Sequence, residues 1–139
     1  MYKNNKMQFI IETEIQKKFI INNELEYPLI SEIKKLNWNE NGYIIIKPMN
    51  NICEVNFLQI EIRSLNITYG IEINFKCNES YVQYQFTTTD IDIAISICSE
   101  FFYKHKIPDF KNWKYINKEI ILENYERDKE EYSNKEEDQ

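Results

Sequence analysis

The stretch Tyr69-Gly70-Ile71-Glu72-Ile73-Asn74-Phe75, followed by Val82-Gln83-Tyr84-Gln85-Phe86-Thr87, decides the fold. Ile67, Tyr69, Ile71, Ile73 and Phe75 alternate with polar residues, and so do Val82, Tyr84 and Phe86. Successive side chains of a strand point to opposite faces. Clean alternation therefore predicts antiparallel strands with one buried face. Asn78-Glu79-Ser80 supplies the turn between them.

Downstream, the period changes from two to that of a helix. Ile91, Ala94, Ile95, Cys98, Phe101 and Phe102 form a wide apolar stripe, so the spacing predicts a helix over Asp90 to Lys106. Thr89 is placed to cap it, with Asp92 three residues on. Asp90 and Asp92 suit the positive end of its dipole, and Lys104, His105 and Lys106 the negative end. Pro108 stops it, and Phe110 and Trp113 in the following connector are expected to anchor the chain back onto the sheet. Upstream, Tyr43 to Lys47 reads as a short strand. Ile52 to Arg63 reads as another that changes phase, so a bulge is expected near Phe57-Leu58. Asn50-Asn51 is the expected turn between them. Leu29, Ile33 and Leu36 follow Pro28 at helical spacing, which predicts a helix from Pro28 to about Asn37. The polar turn after it closes on Asn41-Gly42. Met7 to Asn22 fits either period, and its β-branched residues favour a strand pair. The expected fold is α+β: one two-layer domain over residues 1–116, with a mostly antiparallel sheet of about four to six strands. The longer helix near 90–106 and the shorter one near 28–37 cover it.

Charge is unevenly distributed. Of the formal net charge of −6, residues 117–139 carry −5, from nine acids and four bases; the preceding 116 residues are nearly balanced. Ile121, Tyr125, Asp128 and Tyr132 fall at helical spacing in this acidic end, so a partly helical segment with a disordered Ser133 to Gln139 is expected. Solvation accounts for such a segment; recognition of a basic partner is the other reading. The near-neutral remainder argues against nucleic acid as a partner, because phosphate binding needs a concentrated basic face. No apolar run is long enough to span a membrane. The N-terminal stretch lacks the pattern of a secretory signal. Three widely spaced cysteines, Cys53, Cys77 and Cys98, fit reduced thiols packed as small apolar groups, and so a cytoplasmic protein.

No set of residues converges on catalysis. His105 is the single histidine, and Cys98 lies seven residues earlier on the same helix, about 10 Å along the axis at ~1.5 Å per residue. That separation is too long for a thiolate–imidazole pair, so His105 reads as a helix-end cation. Asp90 and Asp92 diverge at i and i+2, which fits helix capping better than paired acid–base chemistry. Two isolated glycines form no phosphate loop, and the cysteines have no zinc spacing. The expectation is a non-enzyme with no cofactor and no metal. Trp38, in a polar turn, reads as an edge packer or as a binding anchor of the type enriched in interface hot spots.

The antiparallel sheet, the helix Asp90 to Lys106, the segment Ile107-Pro108-Asp109-Phe110-Lys111-Asn112-Trp113 and the acidic end together resemble the immunity proteins of bacterial polymorphic-toxin and contact-dependent-inhibition systems. The resemblance is one of style and carries no diagnostic motif. It implies tight binding to a cognate toxin, often a basic nuclease. The expected function is a non-catalytic protein-binding inhibitor. The residues expected to meet a basic partner are Trp38, Tyr125, Glu126, Asp128, Glu130, Glu131 and Tyr132. A phage or mobile-element inhibitor of a host defence system, or a structural subunit, are the alternatives. Oligomeric state is left open at this level.

Overall fold

The computed structural model describes residues 7–63 and 68–116. Seven strands form one antiparallel sheet in the order β2-β1-β3-β4-β5-β6-β7. They are β1 (Phe9–Thr13), β2 (Lys17–Ile21), β3 (Tyr43–Pro48), β4 (Val55–Ile62), β5 (Tyr69–Cys77), β6 (Ser80–Thr88) and β7 (Lys114–Ile116). A single 3-10 turn (Glu24–Glu26) and helix α1 (Leu29–Lys34) lie between β2 and β3, and helix α2 (Ile91–Lys104) follows β6. The α+β expectation holds, but the sheet exceeds the four to six strands expected. Met7 to Asn22 resolves into the β1–β2 pair, and β7 comes from the end of the connector, which the alternation did not mark.

Register explains the core. Across the sheet, Ile11 faces Ile46, Ile46 faces Leu58, Leu58 faces Ile73, and Ile60 faces Ile71. All of these are fully buried on the face that the helices cover. Ala94, Cys98, Phe101 and Phe102 of α2 complete the layer, with Leu29 and Ile33 from α1. Each large aliphatic buried this way stabilises the fold by roughly 1.5–3 kcal/mol. Phe102 packs at 4.9 Å from Phe9, which fastens the end of α2 to β1. The connector after α2 returns across the same face: Phe110 lies 4.6 Å from Tyr84, and Trp113 stacks at 5.5 Å on Phe86.

Local expectations shift by a residue or a turn. The β4 irregularity lies between Val55 and Phe57, one step before the expected Phe57-Leu58. Ahead of β4, the chain reverses at Cys53 and Glu54, both at positive φ, with Val55 N–H donating to the Ile52 carbonyl at 2.9 Å. Asn51 does not form that turn but braces it, accepting from Glu54 N–H at 2.8 Å. Helix α1 is shorter than expected because Pro28 is its N-cap and Lys35 its C-cap. Helix α2 is capped by Asp90, whose side chain accepts from Asp92 N–H at 2.9 Å, and not by Thr89. Cys98 is buried as expected, and burial pushes its thiol up to about 12. Cys53 and Cys77 are exposed, against the expectation that all three pack internally, because both sit where strands reverse.

Candidate functional site

Trp38 stands on a braced turn between α1 and β3. Asn37 and Asn41 exchange backbone hydrogen bonds, Asn37 N–H donating at 3.0 Å and Asn41 N–H at 3.3 Å. The Asn37 side-chain oxygen accepts from Asn39 N–H at 3.1 Å and Glu40 N–H at 2.8 Å. This short-range bonding is why the Asn-rich segment folds into a closed loop without glycine at its tip. The indole it presents is 51% exposed, so it is not a buried edge packer. Asn41 is buried, and its side-chain oxygen has no hydrogen-bond partner among the described residues.

Carboxylates surround this end of the sheet. The β1–β2 hairpin turns here, since Thr13 pairs with Ile44 next to Tyr43. Glu14 reaches back so that its Oε1 lies 3.5 Å from where a Gly42 side chain would begin. Burial raises the Tyr43 hydroxyl above its ordinary value, and the negative fields of Glu12 and Glu14 raise it further. Glu12 is bridged to Lys47 at 3.6 Å. Glu14 and Glu40 form no ion pair among the described residues. The end thus presents one large exposed amphipathic side chain on a braced turn that also carries Glu40, with Glu14 against Gly42 at its base.

The face of the sheet opposite the helices carries a second constellation. Arg63 donates through Nε to Glu61 at 2.9 Å and through a terminal nitrogen to Glu72 at 2.7 Å. Gln83 donates to the other Glu72 oxygen at 2.8 Å and accepts from Asn74 at 2.9 Å; Asn56 donates to Asn74 at 3.1 Å. We assign the Gln85 amide with its oxygen towards Arg63, since the opposite orientation sets N–H groups against a guanidinium. Burial holds the Glu72 carboxyl above the usual carboxylate range and Glu61 adds to this, while Arg63 and Gln83 oppose it. Sequence alternation marked these positions only as a solvated face. Asn74 and Gln83 are in fact buried, and Gln83 is more enclosed than Val82, Tyr84 or Phe86. The signal available was the recurrence of amide and acid side chains at facing positions of three successive strands. Its members satisfy one another, so it stiffens the sheet and leaves no free acid–base pair.

Elsewhere, His105 is not a free helix-end cation. It ends α2 in the left-handed conformation, φ 55, and its Nε2 contacts the Glu24 carboxylate, tying α2 to the 3-10 turn. An open groove of about 570 Å³ runs along α1, lined by Pro28, Ile30, Ser31, Lys34, Lys35 and Tyr103. Among the described residues no three His, Cys, Asp or Glu side chains gather as metal ligands, and no helix is long and apolar enough to cross a membrane. Tyr125, Glu126, Asp128, Glu130, Glu131 and Tyr132 lie outside the described residues, so of the expected contact set only Trp38 is placed. No family model matches the chain, and neither a curated protein nor a solved structure is detectably similar to it.

Proposed function

We propose that this protein is a non-catalytic inhibitor of immunity or antitoxin type, which neutralises a basic toxin-class protein by binding it. The exposed Trp38 on its braced turn, which also carries Glu40 and has Glu14 against Gly42 at its base, is the observation that carries this reading. Trp is enriched among interface hot spots because it buries a large area at small entropic cost. Carboxylates around such an anchor steer a basic surface towards it and then lie at the rim. The acidic charge of residues 117–139 adds to the same field.

The test is co-expression with the product of the adjacent gene, scored by growth rescue and by titration of the purified pair. Growth rescue and a stable complex are expected. Trp38→Ala should weaken the complex by about 2 kcal/mol or more, which is roughly 30-fold. Affinity and rescue untouched by Trp38→Ala, or no complex at all, would overturn the reading.

A further inference from the structure

We propose that the edge of β2 joins two copies of this chain about a two-fold axis through Ile20, extending the sheet across the dimer. Among the described residues β2 pairs with β1 alone, in unbroken register from Phe9–Ile21 to Thr13–Lys17. Its outer backbone groups are therefore free to receive a strand. Natural edges are usually blunted by proline, a bulge or charge. Here only Lys17 and Lys18 guard the first half, while Phe19-Ile20-Ile21 carries neither charge nor proline.

The occupant follows from where the exposed aliphatics stand. Ile15 is 63%, Ile20 58% and Leu25 91% exposed, and they are spaced evenly about Ile20. Facing residues of an antiparallel pair point to the same side, so a two-fold perpendicular to the sheet passes through a residue. An axis through Ile20 sets it against itself and brings the hairpin tip that carries Ile15 in each copy towards the 3-10 turn that carries Leu25 in the other. Phe19 then faces Ile21, and Lys18 and Lys17 face Asn22 and Asn23, so no like charges meet along the strand. An axis through Phe19 would leave Leu25 unmatched. An axis through Ile21 would set Lys18 against Glu24, which His105 already holds. Leu25 is presented by a pinned turn. Asn23 accepts from its N–H at 2.9 Å, and Glu26 accepts from Asn22 N–H at 2.9 Å. Antiparallel pairing also sets the hairpin end of one copy beside the 3-10 turn of the other, as these contacts require. A self-complementary patch is the mark of an isologous interface.

Sedimentation equilibrium of the full chain over a concentration series tests this without any toxin partner. The expected result is a dimer whose dissociation constant rises about tenfold or more in Ile20→Lys, through a like-charge pair on the axis, with unchanged circular dichroism. In a Cys53→Ser/Cys77→Ser background, Ile20→Cys should cross-link under mild oxidation. Facing strand residues lie about 4.5–5.5 Å apart at Cα, within disulfide reach. Ile30→Cys, exposed on α1 and outside the proposed strand pairing, should cross-link far more slowly. A monomer throughout the series, a dimer insensitive to Ile20→Lys, or equal cross-linking at both cysteines would overturn the proposal. So would a monomer whose complex with a basic partner is lost in Ile20→Lys, since that outcome assigns the edge to the partner.

Discussion

Gly70 is the residue that lets Arg63 lie flat on the sheet. A side chain at Gly70 would begin 2.2 Å from Arg63 Nε and 2.8 Å from Cδ. The guanidinium would have to lift away from Glu72, leaving a half-buried carboxylate without its cation and held by Gln83. Gly70→Ala is therefore expected to cost about 1–3 kcal/mol in urea unfolding, the usual penalty for an unsatisfied buried polar group. Most of that cost should vanish when Arg63→Ala is already present, because the clash and the ion pair share one partner. A cost that persists in the double variant would place the strain in the backbone. Glu72 adds a pH dependence of definite sign. Its folded carboxyl is raised above the ordinary value, chiefly by burial. The unfolded chain thus loses this proton first, and the contribution of Glu72 to stability falls as pH rises from the ordinary carboxylate value through the raised one. Measured against Glu72→Gln, wild type should lose relative stability as pH rises from the ordinary carboxylate value. A difference independent of pH would mean that the carboxyl is not raised.

At the scale of elements, the two helices show what periodicity can and cannot resolve. Apolar spacing located α2 to within two residues at each end, because Ala94, Cys98, Phe101 and Phe102 form a face that only a helix can bury. The capping residue was misread because Thr88, Thr89 and Asp90 all qualify by type, and backbone direction selects among them. Thr88 Oγ1 accepts from Asp90 N–H at 3.0 Å and Asp90 accepts from Asp92, leaving Thr89 without a capping role. Asp90→Ala should cost about 1 kcal/mol by loss of the cap, and Thr89→Ala close to nothing. Comparable losses at both positions in thermal unfolding would contradict this assignment. Strands β3 to β6 were legible for the same reason as α2, an apolar face, whereas β1 and β2 fitted either period and β7 was unmarked. The network from Asn56 to Gln85 was not legible. Alternation reports which residues leave the core, but it does not report that Arg63 folds back over Gly70 to enclose them. Trp38 was singled out by composition, yet only the Asn37 bonding pattern decided that it faces solvent.

Along the whole chain, charge and proposed contact fall in different segments, and so should their kinetic effects. The proposed contact residue that can be placed, Trp38, sits on the folded domain, whereas most of the net charge belongs to residues 117–139. Deleting residues 126–139 removes seven acids and three bases and moves the formal charge from −6 to −2. Fields from exposed charges act over a screening length of about 8 Å at physiological salt, and they raise encounter rates by about 10–1,000-fold at best. Truncation should therefore slow association with a basic partner and flatten its dependence on salt, while leaving dissociation nearly unchanged. Trp38→Ala should do the reverse, raising the dissociation rate with little effect on association, because a desolvated anchor acts after encounter. Stopped-flow association and surface-binding dissociation, each across a salt series, distinguish the two. If truncation leaves both rates unaltered, the acidic end serves solubility alone, and the steering field must come from Glu14, Glu40 and their neighbours on the domain.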